Sequence, residues 1–453
     1  MNRERDNMDS DCNCISQPTE KEIKETNVED FFWKLPDDIL EKILSLLTIE
    51  EAASTSVLSS RWRYLWTFFS GCLDFNGRRK MMRLKSTTCE VICRDSQRFV
   101  SWIDRVLGSL KYPTIEELRI HLEVVSGSDI DNWIKIALEK RVQRLELDLF
   151  KGRICHCSKF DCYDNCKAYN FALQFDSVSN FGSLTSLRLR CVDVTNEVLE
   201  HLLSSCPFLE VLSVEDTQYL TSFRISGPSL KLKHLQFSRC TKLMNLEICA
   251  RNLISFSYFG PKTNVSYGNV ESLSEVSFGG SYLSYVIRDL HQLSSLFMQL
   301  QTLKLNLVNL TVLGKFLGKI PALPNLKHLK MTIAVADKRY LIHCSAFLKA
   351  SPSLYKFTLE TIFVGCPNGL DWNFKDHPCV GLRGLNLRVF EFIGFTGFPP
   401  YFEFVMCLIR TATLLEKIII HPPKRCQPEL YQFGRDRAIQ LRAMFPHLEF
   451  VIL

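Results

Sequence analysis

The chain has 453 residues, of which 46% are hydrophobic and 23% are charged. These proportions are typical of a folded globular protein and exclude a disordered or collagen-like chain. The formal net charge of +6 is too small to indicate a nucleic-acid or membrane partner by itself. Length alone suggests about three domains, at about 150 residues each.

Residues 1–30 are predicted to form a flexible acidic tail, with nine acidic and four basic side chains. They lack the apolar segment of a signal peptide, and no stretch of the chain reaches 18 consecutive apolar residues. We therefore expect the protein in the cytoplasm, the nucleus or both. The 18 cysteines are then predicted to be reduced thiols that act as small buried residues.

A small helical module is predicted over residues 31–76. Pro36 followed by Asp37 and Asp38 is typical of a first helical turn, because proline fits there and acids favour the helix dipole. A broad apolar stripe follows on the same helix. Two further helices are predicted over residues 50–58 and 59–66. The stripe consists of Ile39, Leu40, Ile43, Leu44 and Leu47.

This module resembles the F-box. The shared features are Leu35-Pro36, the spacing of the apolar stripe, Ala52, the run from Thr55 to Ser59, and the run from Arg61 to Trp66. The plant version usually has proline at the position of Thr48 and a basic residue at that of Ser60. We expect Thr48 to loosen the loop before the second helix, and Ser60 only to remove a surface charge.

The F-box resemblance implies a non-catalytic role. F-box helices bind the Skp-type adaptor of a cullin–RING ubiquitin ligase, while the rest of the chain holds a substrate protein. Ubiquitin transfer then depends on proximity to an enzyme recruited elsewhere in the complex. Trp62 and Leu65 suit the internal core as well as contact. The residues expected to contact the adaptor are Leu35, Pro36, Ile39, Leu40, Ile43, Val57 and Leu58.

Residues 77–112 are predicted to be a linker with helices that lead into the remainder of the chain. Its basic stretch runs from Arg78 to Lys85. A solvated linker face is the first interpretation of this stretch, and a nuclear address or a phosphate contact is the alternative.

From residue 113 to 453 the chain repeats an L-x-x-L-x-L triplet, in which L stands for any apolar residue. The interval averages about 26 residues, within the range of leucine-rich repeats. Several triplets follow a helix-like run that ends at proline, as at Pro207, Pro352 and Pro446. The triplets begin at residues 115, 142, 184, 209, 232, 243, 253, 273, 300, 326, 354, 382, 415 and 448.

The repeats predict an α/β fold, with the N-terminal helices followed by a curved leucine-rich-repeat solenoid. Short parallel strands form its sheet, and helices cover the convex side. The intervals between 232, 243 and 253 are too short for a helix, so we expect tight strand-to-strand coils or a shifted register there. Residues 322–453 also resemble the FBD segment of plant F-box/leucine-rich-repeat proteins, notably at Leu326–Met331, Phe347–Leu354, Leu414–Ile420 and Pro446–Leu453.

A cysteine-rich loop breaks the repeat between residues 142 and 184. Four cysteines and one histidine within twelve residues match the number of ligands of a zinc site, but their spacing is not the usual C-x₂-C. An inert loop is the first interpretation, with a zinc or redox role as the alternatives. The candidate ligands are Cys155, Cys157, Cys162 and Cys166.

No nucleotide-binding, hydrolase or metalloprotease motif occurs in the sequence. We therefore expect no catalytic residue, cofactor, nucleic-acid partner or membrane partner. The leading prediction is a substrate-recognition subunit of a Skp–cullin–F-box ligase with an unknown target. One rival is a leucine-rich scaffold whose N-terminal helices only cap the repeats. Another is a co-receptor that depends on a small molecule or an inositol phosphate.

Overall fold

A helical module (residues 35–69) begins the part of the chain that the structure describes. It contains helices α1 (Asp37–Ser45), α2 (Ile49–Ser54) and α3 (Ser60–Leu65), with 3₁₀ turns at Thr55–Val57 and Trp66–Phe68. The three predicted helices are thereby confirmed. The structure is a computed structural model that describes residues 35–69, 71–77, 89–122, 127–149, 169–171, 181–227, 230–288, 294–308, 320–334, 339–362, 385–423 and 428–453.

Short strands alternate with helices or loops in the rest of the described chain. Most strands have five residues, which is one side of a repeat coil. The strands are β1 (Cys72–Asn76), β2 (Glu117–His121), β3 (Arg144–Asp148), β4 (Tyr169–Asn170), β5 (Ser186–Arg190), β6 (Val192–Asp193), β7 (Val211–Glu215), β8 (Ser222–Ser226), β9 (His234–Ser238), β10 (Asn245–Cys249), β11 (Ser255–Phe259), β12 (Asn264–Tyr267), β13 (Glu275–Gly279), β14 (Thr302–Asn306), β15 (His328–Ala334), β16 (Lys356–Ile362), β17 (Val389–Ile393), β18 (Lys417–His421) and β19 (Glu449–Ile452).

Fourteen of these strands form one sheet, which we call the main sheet. Its order is β1-β2-β3-β5-β7-β9-β11-β13-β14-β15-β16-β17-β18-β19, and every neighbouring pair is parallel. Strand order therefore follows chain order. This is the arrangement predicted for a leucine-rich-repeat solenoid, and the mixed α/β fold class is confirmed.

Alternation along each strand places two apolar side chains in the core. From β1 to β18, the second and fourth residues of each main-sheet strand are buried. In β1 these residues are Leu73 and Phe75. The register stacks these residues into continuous rows, so that Leu73 faces Leu118 and Phe75 faces Ile120. One hydrophobic core extends from Leu40 of the helical module to Leu448.

Helices cover most of the core side of the main sheet. In chain order they are α4 (Cys89–Ser109), α5 (Gly127–Glu139), α6 (Asn196–Ser205), α7 (Gly280–Arg288), α8 (Ser294–Phe297), α9 (Arg339–Ala350), α10 (Pro399–Thr411) and α11 (Pro428–Met444).

Strands replace helices in the middle of the solenoid. Parallel strands β8, β10 and β12 form a second sheet in the order β12-β10-β8. Each lies between two main-sheet strands in the chain. The triplet at residue 243 is therefore not a main-sheet strand, and its neighbours at 232 and 253 belong to consecutive coils. A further two-stranded pair joins β4 and β6.

Sharp turns follow several strands of the main sheet. Asp216, Arg239 and Gly280 directly follow β7, β9 and β13, and their φ angles are 59°, 52° and 67°. A Cβ atom on Gly280 would lie 2.6 Å from the carbonyl oxygen of Gly260, so only glycine fits there.

Two predicted triplets differ from the observed register. In β17, Phe390 and Phe392 face Phe357 and Leu359 of β16, so the buried positions lie five residues after the predicted Leu385 and Leu387. In β19, Phe450 faces Ile418, which shifts the predicted positions by one residue. Strand β1, at the end of the range assigned to the helical module, was not predicted at all.

Candidate interaction surfaces

The start of α1 is held in place by an arginine of α3. Arg61 donates from Nη2 to the carbonyl oxygen of Leu35 at 2.5 Å and from Nε to Oδ1 of Asp37 at 2.7 Å. Leu35 is half-buried, while Pro36 is exposed. The predicted Leu35-Pro36 element is thus fixed to the third helix and still accessible from solvent.

The predicted adaptor contacts differ in exposure. Val57 and Leu58 are 83% and 65% exposed, and Ile39 is 42% exposed. Ile43 is half-buried against the core. Leu40 is fully buried, and we remove it from the proposed contacts because its side chain has no surface to offer.

One exposed residue was missed in the sequence. Leu46 is 82% exposed and ends α1. It follows Ile39 and Ile43 at the i, i+4, i+7 spacing, which places all three on one helix face. That spacing was visible in the sequence. Trp62 and Leu65, for which both roles were open, are buried in the core.

Thr48 stabilises the second helix instead of loosening the loop before it. Its hydroxyl accepts a hydrogen bond from the Glu51 amide at 3.2 Å, and its own amide donates to Oε2 of Glu51 at 2.9 Å. These reciprocal bonds form a capping box at the N-terminus of α2. They also lower the pKa of Glu51, chiefly through the bond from the Thr48 amide. Ser60 is exposed, as expected.

The helical module also packs against the solenoid. The amide of Lys111 donates to the carbonyl oxygen of Thr67 at 2.7 Å, and its Nζ lies 4.2 Å from the ring centroid of Tyr64. Core residues of the module join the same apolar cluster as those of β1. The module therefore caps the first repeat on one side and leaves apolar side chains uncovered elsewhere.

The other face of the main sheet, which we call the open face, carries the first, third and fifth residues of each strand. From β1 to β7 these residues are mostly charged and pair with one another both within and between strands. Arg119 contacts Glu117 at 2.7 Å, Arg144 contacts Glu117 at 3.2 Å, and His121 contacts Glu146 at 3.1 Å. The last bond raises the pKa of His121 and lowers that of Glu146.

The open face changes character along the solenoid. Its central row passes through Ser213, Gln236, Ser257 and Ser277 between β7 and β13, all of them uncharged. From β13 onward, lysines pair with glutamates on neighbouring strands. These pairs are Glu275–Lys304 at 2.5 Å, Lys330–Glu360 at 2.8 Å, Lys356–Glu391 at 2.7 Å and Lys417–Glu449 at 2.5 Å.

The described cysteines are free thiols in mainly structural positions. Cys206 and Cys240 are buried, and burial raises the pKa of each to about 12, which keeps them protonated and unreactive. Cys191, Cys249 and Cys407 are half-buried. Within the described ranges, no three His, Cys, Asp or Glu residues are grouped so that they could hold a metal ion.

Three predictions fall outside the described residues. They are the acidic tail at 1–30, the basic stretch from Arg78 to Lys85, and the candidate zinc ligands Cys155, Cys157, Cys162 and Cys166. Among the helices that the structure describes, none has the length and apolar character needed to cross a membrane.

Comparison with known families agrees with both parts of the molecule. Residues 109–435 match the family described as At1g61320/AtMIF1, LRR domain, and residues 32–70 match the F-box domain. The repeat match covers well over half of the chain. The chain therefore belongs to this leucine-rich-repeat family, and its N-terminal module is an F-box.

Individual relatives come from Arabidopsis thaliana. F-box/LRR-repeat protein At2g42730 is 31% identical over 255 residues, which cover 52% of this chain and 53% of that protein. FBD-associated F-box protein At5g56370 is 34% identical over 212 residues, or 44% and 47% of the two chains. Putative F-box/LRR-repeat protein At3g42770 is 27% identical over 381 residues, or 79% and 69%.

The alignments with these relatives cover only part of each of them. The chain spans about half the length of the first two of these curated relatives. The FBD in the name of one relative agrees with the FBD-like segment predicted at residues 322–453. Plant F-box/leucine-rich-repeat character, predicted from the sequence, is confirmed.

Proposed function

We propose that this protein is a substrate-recognition subunit of a Skp–cullin–F-box ubiquitin ligase. The observation that carries the proposal is the exposure of Val57, Leu58, Leu46 and Ile39 on a module whose core side chains, such as Leu40, Leu44 and Leu65, are buried. Uncovered apolar side chains on a small helical module favour a protein partner, and the F-box match favours a Skp-type adaptor. Leu35, Pro36 and Ile43 complete the proposed contacts.

The substrate is proposed to lie on the open face. Between β7 and β13 the central row of this face consists of uncharged polar residues, three serines and Gln236, while the charged residues on both sides pair with one another. A partner that lies on the uncharged floor breaks few ion pairs, so its desolvation cost is low. Ubiquitin transfer would come from an enzyme recruited by the cullin, and this chain would contribute position only.

Co-purification with a Skp-type adaptor tests the adaptor contact. We expect the full chain to co-purify with the adaptor, and the double variant Val57→Asp/Leu58→Asp to lose it. Both side chains are largely exposed, so the variant is expected to fold. Met244→Asp is the matched control, because Met244 is 61% exposed but lies directly before β10 of the second sheet.

Two results would contradict the proposal. One is a folded wild-type chain that does not bind the adaptor, which would favour a scaffold whose helices only cap the repeats. The other is equal loss of binding in Met244→Asp, since adaptor binding would then not depend specifically on the exposed apolar side chains of the module.

A further inference from the structure

The second sheet creates a surface that the helical part of the solenoid lacks. Register pairs Ser222 with Asn245 and Asn245 with Asn264 at the starts of β8, β10 and β12. The loops that lead into these strands are therefore stacked in successive coils. Tyr219 and Lys242 each lie three residues before a paired position, so they occupy equivalent places in adjacent loops.

Two lysines of these loops each contact a tyrosine ring, one in a neighbouring loop and the other on α7. Nζ of Lys242 is 5.8 Å from the ring centroid of Tyr219, and Nζ of Lys262 is 4.7 Å from that of Tyr285. Such cation–π contacts hold the ammonium groups in place without neutralising their charge. We call Tyr219, Lys242, Lys262 and Tyr285 the rim row.

The rim-row lysines differ from the other cations nearby. Arg239 contacts Asp216 at 2.7 Å, Arg224 contacts Glu247 at 3.3 Å, and Arg251 contacts Glu271 at 3.6 Å. Within the described residues, by contrast, neither Lys242 nor Lys262 has a carboxylate within ion-pair distance. Two positive charges are therefore available to a partner at one position on the surface.

A groove of about 400 Å³ meets the rim row at Tyr285, which lines both. Its floor is the outer face of the second sheet, and Tyr282, Tyr285 and Val286 of α7 form its wall. Nδ2 of Asn264 donates to Oδ1 of Asn245 at 3.2 Å, and this bond does not use the Asn245 amino group or the Asn264 side-chain oxygen. Side-chain amides of this kind match the donors and acceptors of a peptide backbone. The floor residues are Ser222, Phe223, Arg224, Asn245, Leu246, Glu247, Asn264, Val265 and Ser266.

We infer that this groove binds an extended acidic segment of a partner protein. Carboxylates of the segment would pair with Lys242 and Lys262, and its backbone would bond to the asparagines of the floor. An apolar side chain of the segment would pack against Tyr219 and Met244, which are 57% and 61% exposed. The site lies on the opposite side of the repeats from the open face, so it goes beyond the proposed substrate and adaptor contacts.

An acidic peptide fits this site better than a nucleic acid. Nucleic-acid sites neutralise many phosphates, which takes a broad basic patch. Here two cations are available among the described residues, and the Glu247 carboxylate lies in the floor. Lys242 and Lys262 provide enough charge for one or two carboxylates.

Peptide display against the full chain bound to its adaptor tests this inference. From a random library, the wild type is expected to enrich peptides that contain Asp or Glu near an apolar residue. The selected peptide is expected to bind Lys242→Glu/Lys262→Glu at least about tenfold more weakly, and less tightly at high salt. The charge-reversed variant should itself enrich Lys and Arg.

Lys231→Glu is the matched control. Nζ of Lys231 lies 4.3 Å from the ring centroid of Phe208, so it has the same chemistry as the rim row but lies in the loop before β9. This control should bind the selected peptide as the wild type does. Equal loss in both variants, or no enrichment of acidic peptides, would overturn the inference.

A single-stranded oligonucleotide tests whether the partner is a nucleic acid instead of an acidic peptide. If a single-stranded oligothymidine bound the wild type and lost binding in the charge-reversed variant, the acidic-peptide inference would be wrong. Adaptor co-purification is measured on the same samples and does not involve the groove. Failure of this inference is therefore distinguishable from failure of the proposed ligase function.

Discussion

Val57 and Leu58 of the helical module are mostly exposed, whereas Leu235 and Phe237 of β9 are almost completely buried. Both pairs are apolar, so residue type does not explain the difference. In the main sheet, β9 pairs with β7 on one side and with β11 on the other. Its apolar residues therefore lie beside equivalent apolar residues of both neighbouring strands. In the module, three short helices leave part of their apolar surface without a neighbour.

This comparison separates residues that hold the fold from residues that serve a partner. A buried residue should affect the free energy of unfolding when it is replaced. An exposed apolar residue of the module should affect adaptor binding with little change in stability. Each region offers a matched pair of positions that tests this distinction.

The largest expected loss of stability follows Phe357→Ala in the solenoid. Phe357 is fully buried, stacks on Phe390 at a centroid distance of 5.5 Å, and meets Phe404 edge to face at 6.5 Å. Its removal leaves a cavity and should lower the free energy of unfolding in urea by about 3–5 kcal/mol. Tyr355→Ala, at a half-exposed position on the same coil, should cost less than about 1 kcal/mol.

In the helical module, the same comparison between a buried and an exposed residue can be made with Leu40 and Val57. Leu40→Ala removes a fully buried side chain and should lower the free energy of unfolding by about 2–5 kcal/mol. Val57→Ala should change it by less than about 0.5 kcal/mol. Adaptor binding measured at a temperature where both variants are folded should weaken for Val57→Ala. A large loss of stability in Val57→Ala would mean that its side chain is part of the core.

Sequence reasoning was most successful where apolar spacing was strict. The triplets at 115, 142, 184, 209 and 232 fall on main-sheet strands, because most residues beside their apolar positions are polar and fix which residues face inward. Around β19 the residues Phe450, Val451, Ile452 and Leu453 are all apolar, so alternation cannot select a register. The region before β17 has the same ambiguity, since Leu382, Leu385 and Leu387 fit the template as well as the observed positions do.

Two features of the structure are not encoded in the spacing. Strand β10 has the same alternation as a main-sheet strand, and only its neighbours in space assign it to the second sheet. Leu40 and Ile39 lie on one broad apolar stripe, but the packing of α1 buries the first and exposes the second. The Thr48–Glu51 spacing, in contrast, is a capping-box pattern that was readable from the sequence.

The capping box leads to a smaller prediction within the module. Thr48→Ala removes the acceptor for the Glu51 amide and should lower the free energy of unfolding by about 1 kcal/mol. Thr48→Ser keeps the hydroxyl and should restore most of that loss. Thermal unfolding of the three proteins checks this order. Proline at this position would lose the amide that donates to Glu51, so equal stability of Thr48→Pro and the wild type would contradict the role assigned to the box.

The smallest expected effect is a pH dependence confined to the solenoid. The hydrogen bond with Glu146 raises the pKa of His121 above 6.5, and the bond with His121 lowers the pKa of Glu146 below 4.5. The raised histidine pKa stabilises the fold below pH 6.5, and this contribution disappears as the pH rises through the folded-state pKa. The lowered glutamate pKa stabilises the fold above pH 4.5, and this contribution disappears as the pH falls through the folded-state pKa.

The pair should therefore stabilise the solenoid most between pH 4.5 and pH 6.5. Because both side chains are partly exposed, we expect about 1 kcal/mol or less. Urea unfolding of the wild type and Glu146→Gln should differ most in this range and less at alkaline pH, where Glu146 keeps only its interactions with arginines such as Arg119. The described part of the helical module contains no histidine, so adaptor binding should stay constant as His121 loses its proton. A parallel change in adaptor binding would show that the two regions are coupled through their shared core. The stability of the solenoid and adaptor binding by the module would then not be independent.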